Sequence, residues 1–119
     1  MRPAMVHSEQ GCQQYQHAIE LIGKRWTGLV IMVLLDGPQR FSAIAEQLGG
    51  VSDRMLSERL KELESEGMIE RRVYAETPVR IEYRLTPKGA ALAPVIEAVQ
   101  QWSRAWPQEE YAEPQEEAA

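Results

Sequence analysis

The chain has one cysteine, two histidines and one phenylalanine in 119 residues. A lone cysteine excludes an internal disulfide, and with it the disulfide-stapled scaffolds of small secreted proteins. The longest apolar run, Leu29 to Leu35, is far shorter than the roughly 20 residues that cross a bilayer. The opening MRPAMVHSEQ lacks the apolar stretch of a signal peptide. No glycine-rich phosphate loop occurs, and the acids form no acid–base or nucleophile constellation. His7, Cys12 and His17 offer three metal ligands without a fourth, so no metal is expected. These absences point away from an enzyme, a cofactor-dependent protein and a membrane protein. They leave a cytoplasmic protein as the expectation.

What is present is a globular composition, with 44% hydrophobic and 26% charged residues. The length suits one domain, which buries roughly two-thirds of its unfolded surface. The net charge of −5 is unevenly placed. Glu109, Glu110, Glu113, Glu116 and Glu117 carry it, and the preceding residues hold 13 bases against 13 acids. Residues 108–119 read as an acidic, disordered tail. Residues 1–10 lack periodicity and read as a flexible segment, leaving 11–107 as the folded domain.

Within that domain, Tyr15, Ala18, Ile19 and Ile22 have helical spacing. After Gly23 a second helix begins, apolar nearly all round from Trp26 to Leu35, and so expected to be central and buried. Asp36-Gly37-Pro38 ends it. A short third helix carries Phe41, Ile44, Ala45 and Leu48, with Ser42 as its expected N-cap. Gly49-Gly50 closes it. Ser52 then caps a fourth helix with Leu56, Leu60 and Leu63 as its buried stripe and Gly67 as its terminator. The period then becomes two. Val79, Ile81, Tyr83 and Leu85 alternate with Arg80, Glu82 and Arg84, predicting a strand paired with Met68 to Tyr74. Thr86-Pro87 starts a last helix that Pro94 should kink or restart. The expected fold is mainly α with a small β-hairpin, a winged helix-turn-helix. In this fold the second helix of the tight pair enters the DNA major groove.

Several segments resemble the HxlR family of winged helix-turn-helix transcriptional regulators, which are MarR-like. They are Ile22-Gly23-Lys24-Arg25-Trp26-Thr27, Leu35 to Ser42, Val51 to Glu64, Gly67 to Arg71 and Val79 to Thr86, in family order and spacing. One departure is Lys24-Arg25 where Gly-Lys is common. The resemblance spans roughly Cys12 to Trp102. It implies a homodimer joined through the terminal helices, without enzymatic activity or cofactor, that acts as a repressor or an activator, the former preferred.

The chemistry then falls on particular residues. Arg54 and Ser57 are the expected base readers, since arginine takes guanine bidentately and serine donates or accepts. Lys61 suits a phosphate, Arg59 a phosphate or a bracing role, and Ser52, Arg40 and Ser42 the helix starts. In the hairpin, Arg72 and Arg80 are the expected phosphate or minor-groove contacts, against the alternative of pairing with Glu70 and Glu82. Arg71 could brace the turn from the fourth helix, and Lys88 could add a contact. Tyr15, Ile19, Ile22, Val99, Trp102 and Trp106 are the expected dimerisation stripe. Cys12 lies beside a glycine at a helix start, where a thiolate is stabilised. In some members a cysteine here senses oxidants or electrophiles, and the alternative is a small buried hydrophobe. The expected partners are a pseudo-palindromic double-stranded DNA operator, a second copy, and a small-molecule or oxidant effector. The competing reading is a winged-helix module that binds protein.

Overall fold

The structure is a computed structural model and describes residues 9–107. The expected disorder of residues 108–119 and of residues 1–8 lies outside the described residues. Six helices and a hairpin follow in the order α1 (Glu9–Ile22), α2 (Thr27–Leu34), α3 (Phe41–Leu48), α4 (Asp53–Ser65), β1 (Ile69–Tyr74), β2 (Arg80–Leu85), α5 (Pro87–Ala90) and α6 (Ala93–Ala105). This is the winged helix-turn-helix expected from the sequence. None of the described helices is long and apolar enough to cross a membrane.

The core is small and apolar. Val30, Ile31 and Leu34 of α2, Ile44 of α3, and Leu56, Leu60 and Leu63 of α4 are buried together with Met68, Ile69 and Ile96. Full burial stabilises such a side chain by about 1.5–3 kcal/mol, so this cluster outweighs any surface pair nearby. Two details of α2 depart from the expectation. Leu29 and Leu35 remain 44% and 41% exposed, so its apolar circumference is larger than this one chain covers. Trp26, its N-cap, holds a left-handed φ of 79°, a conformation disfavoured for a bulky residue.

The helix boundaries have local causes. Ser52 stands extended before α4, and its Oγ accepts from the Met55 amide at 3.0 Å, as expected of a cap. At the far end Gly67 donates to the Glu64 carbonyl at 3.0 Å and Met68 to the Leu63 carbonyl at 2.9 Å, closing a Schellman turn. Thr86 caps α5 through the Gly89 amide, and the chain restarts as α6 with Pro94 in its first turn. Two expectations are corrected. Arg40, not Ser42, is the N-cap of α3, because Phe41 is already helical when it reaches the core and Ser42 therefore lies inside the helix. Glu9 and Gln10 already belong to α1, so the helix begins inside the segment read as flexible.

β1 and β2 pair antiparallel in the register Ile69↔Leu85 through Tyr74↔Arg80. Gln39, in the loop before α3, adds a bridge to Tyr83 through backbone bonds of 2.9 and 2.8 Å. The loop entering the helix-turn-helix and the hairpin are thus tied by backbone.

Two side-chain devices anchor α4. Glu62 accepts from Lys24 at the α1–α2 turn and from Arg59 on its own helix. The hydrogen bond from Lys24 is the main cause holding its carboxyl below the usual carboxylate range, and Arg59 adds to it. Gly89 packs so closely that a Cβ there would lie 2.1 Å from the Met68 carbonyl oxygen. A Gly89→Ala variant is expected to lose at least about 2 kcal/mol in urea unfolding, since the backbone between α4 and β1 must move. A loss under half of that would show that the contact relaxes freely. Because the folded Glu62 value is depressed, its stabilisation is present above the unfolded value of about 4.3 and is lost as pH falls through the folded value. Glu62→Gln should therefore unfold with a shallower pH dependence than the parent between about pH 5 and 3. Equal slopes for the two proteins would contradict the pairing.

Candidate nucleic-acid interface

The helix-turn-helix consists of α3, a turn at Gly49 and Gly50, and α4. Both glycines hold positive φ, 59° and 85°, which lets four residues reverse the chain between the helices. Leucines at 56, 60 and 63 all bury on one side of α4. Helical geometry then places Ser52, Arg54, Ser57, Glu58 and Lys61 in solvent, and all five are exposed. Asp53 in the first turn complements the helix dipole. Arg54 is nearly fully exposed, with side-chain exposure of 89%, and its only partner among the described residues is Glu58 at 3.6 Å. Lys61 has no ion pair among the described residues. The bases of this face are therefore open to a ligand.

The remaining candidates divide. Arg40 and Ser42 are exposed at the start of α3. Arg59 is turned inward, with 15% side-chain exposure, and donates to Glu62. It braces α4 rather than joining the exposed face. Its position three residues after Leu56 and four before Leu63 was the available signal. Lys88 points to the end of α4, donating to the Glu66 carbonyl at 2.7 Å, so it caps that helix rather than reaching outward.

The hairpin arginines behave opposite to the simplest expectation. Arg72 bonds Glu70 at 3.2 Å, and Arg80 bonds both Glu76 and Glu82 while stacking 3.9 Å from the Tyr74 ring. The pairing alternative therefore describes the unliganded state of both. Arg71 and Arg84 are the hairpin arginines without an ion pair among the described residues. The register accounts for Arg71, which falls on the face opposite Glu70, Arg72, Glu82 and Arg80, whereas Arg84 stands across from Glu70, whose carboxylate pairs with Arg72 instead.

The apolar stripe outside the core is also in place. Tyr15 and Ile19 on α1 and Val99, Trp102 and Trp106 at α6 are 43–66% exposed. Ile22 is half-buried beside Leu21 and only borders the stripe. Cys12 lies in the first turn of α1 and is exposed rather than a buried hydrophobe. The described residues hold no cluster of metal-ligating side chains.

Residues 21–111 match the HxlR-like helix-turn-helix family. The chain is 48% identical over 101 residues to the HTH-type transcriptional regulator YvaP of Bacillus subtilis, covering 85% of this chain and 94% of that one. It is 50% identical over 92 residues to the HTH-type transcriptional regulator YodB of the same organism, covering 77% and 82%. Among solved structures it resembles reduced YodB, with a TM-score of 0.71 and 46% identity over 85% of this chain and 94% of that one. It also resembles quinone-bound YodB, with a TM-score of 0.70 and 44% identity over 78% and 97%. The redox regulator HypR in its oxidised form matches with a TM-score of 0.73 and 30% identity over 77% and 95%. With the family model spanning most of the chain and two relatives near half identical, this protein belongs to the HxlR-like helix-turn-helix family of transcriptional regulators.

Proposed function

We propose that the protein is a homodimeric, sequence-specific double-stranded DNA-binding regulator that represses transcription from a pseudo-palindromic operator. The observation that carries this reading is the division of α4. Its leucine side is locked in the core, and its first three turns expose Arg54, Ser57 and Lys61 together. A helix held this way fits the major groove, where Arg54 and Ser57 reach base edges and Lys61 reaches a phosphate. Ser52, Arg40 and Ser42 lie at the helix starts flanking that surface. Arg72 and Arg80 on the hairpin supply backbone contacts once their carboxylate partners yield.

Homodimerisation rests on the exposed stripes of α1 and α6. Trp102 and Trp106 are each about two-thirds exposed in the single chain, and a second copy would cover them at a gain no isolated monomer offers. A dimer presents two α4 helices, reading half-sites about one helical turn apart. The exposed Cys12 thiol supports an oxidant or electrophile input, as does the likeness to a regulator solved with quinone bound.

Fluorescence anisotropy on the DNA upstream of its own gene, against a scrambled duplex across a salt series, tests the reading. Arg54→Ala should cost about 1–3 kcal/mol on the preferred sequence and erode the preference. Lys61→Ala should weaken both duplexes alike and flatten the salt dependence by about 0.9 in log–log slope. Absence of binding to either duplex at low salt would instead favour a protein-binding module. Cys12→Ser should keep basal binding and lose any response to diamide or quinone. A response that survives this substitution would remove Cys12 from the mechanism.

A further inference from the structure

The hairpin holds more counter-charge than a surface shaped only to attract phosphate requires. Arg80 is half-buried, with 27% side-chain exposure. Its Nε and Nη2 donate to the two carboxylate oxygens of Glu76 at 3.3 and 2.8 Å, and its Nη1 donates to Glu82 at 2.6 Å. The guanidinium also stacks on Tyr74. Glu82 and Tyr74 belong to the strands, and Glu82 keeps only 20% side-chain exposure. Glu76 lies in the loop between the strands and is 49% exposed. Of these three partners it is the one that can leave without disturbing the ladder.

The geometry of the Glu76 contact is that of a bidentate oxyanion on one edge of a guanidinium, the arrangement a phosphate also adopts. Arg40, at the start of α3, adds a second positive field. Arg80 chiefly, with Arg40 behind it, holds the Glu76 carboxyl below the usual carboxylate range. The carboxylate thus feels two of the bases assigned above to the DNA surface.

We propose that Glu76 sets the affinity of the hairpin for DNA: its carboxylate occupies the edge of Arg80 that a backbone phosphate takes in the complex, and binding exchanges one oxyanion for the other. Glu82 and Tyr74 keep the guanidinium aimed throughout. Giving up the Glu76 pair offsets part of the gain of a phosphate contact on any duplex, by the small amount that an exposed ion pair contributes. Non-specific binding is thereby lowered, and discrimination is left to base contacts from α4. This inference rests on the DNA-binding reading above.

A double-mutant cycle on the full chain tests it, using Glu76→Gln, Arg80→Gln and their combination in the same anisotropy titrations. Glu76→Gln should tighten binding to both native and scrambled duplexes by about threefold and steepen the log–log salt slope by up to about 0.9. Arg80→Gln should weaken binding, and adding Glu76→Gln to it should then change nothing. An equal gain in both backgrounds would mean that Glu76 acts only through its long-range field, and no gain in either would mean no exchange; each result overturns the proposal. Thermal melts identify a variant that has lost the hairpin, in which case Arg80→Lys, which keeps charge but not the bidentate edge, replaces Arg80→Gln. If the parent binds neither duplex, the DNA-binding reading falls first and this inference with it.

Discussion

The burial of Leu56, Leu60 and Leu63 decides the rest of the structure. These three side chains are at most 2% exposed and meet Ile31 and Ile44 in one cluster. Their burial fixes the rotation of α4 about its own axis. A rotation of one residue, about 100°, would take a leucine into water and bring Arg54 or Lys61 toward the core, at a cost of several kcal/mol. The polar face of α4 is therefore a consequence of its apolar one. The caps at Ser52 and Gly67 add to this by fixing where the helix starts and stops, so its first turn is presented at a defined place.

Around α4 the structure uses polar contacts as braces. Lys24 and Arg59 converge on Glu62, and Lys88 reaches the Glu66 carbonyl. The Gln39–Tyr83 bridge ties the loop before α3 to β2. The first contacts link the α1–α2 turn and α5 to the one helix whose orientation matters, and the bridge holds the hairpin against the loop that enters the helix-turn-helix. They also explain why several bases that look available in the sequence are already engaged. In contrast, Tyr15 and Ile19 of α1 and Val99, Trp102 and Trp106 at α6 stay exposed in the single chain. The molecule thus separates a packed centre from an outer layer whose apolar surface stays exposed.

Much of this was legible in the residues. Helix order, the Gly49-Gly50 turn, the Ser52 and Thr86 caps, the restart at Pro94 and the alternating strand all follow from local chemistry. Local signals fail where a residue has two acceptable neighbours. For Arg72 and Arg80 the residues leave both phosphate contact and pairing with Glu70 and Glu82 open, and only the structure shows Arg72 on Glu70 and Arg80 held by both Glu82 and Glu76. Ser42 looks like a cap, but Phe41 enters the core one turn position earlier and moves the start of α3 to Arg40. Nothing in the sequence marks the left-handed backbone of Trp26.

The division has a physical basis. Periodicity, capping and turn chemistry act over a few residues, so the sequence by itself determined which segments are helix or strand and which side of each is apolar. Some charged side chains find a partner within a turn, as Arg59 does in Glu62, but others depend on partners dozens of positions away, such as Lys24 with Glu62 or His17 with Glu66 at 3.1 Å. Those pairings exist only once the leucine stripe has drawn the helices together. Tertiary structure alone therefore decided that Lys24 and Lys88 are braces, whereas the surface place of Arg54 and Lys61 follows from the leucine stripe of their own helix.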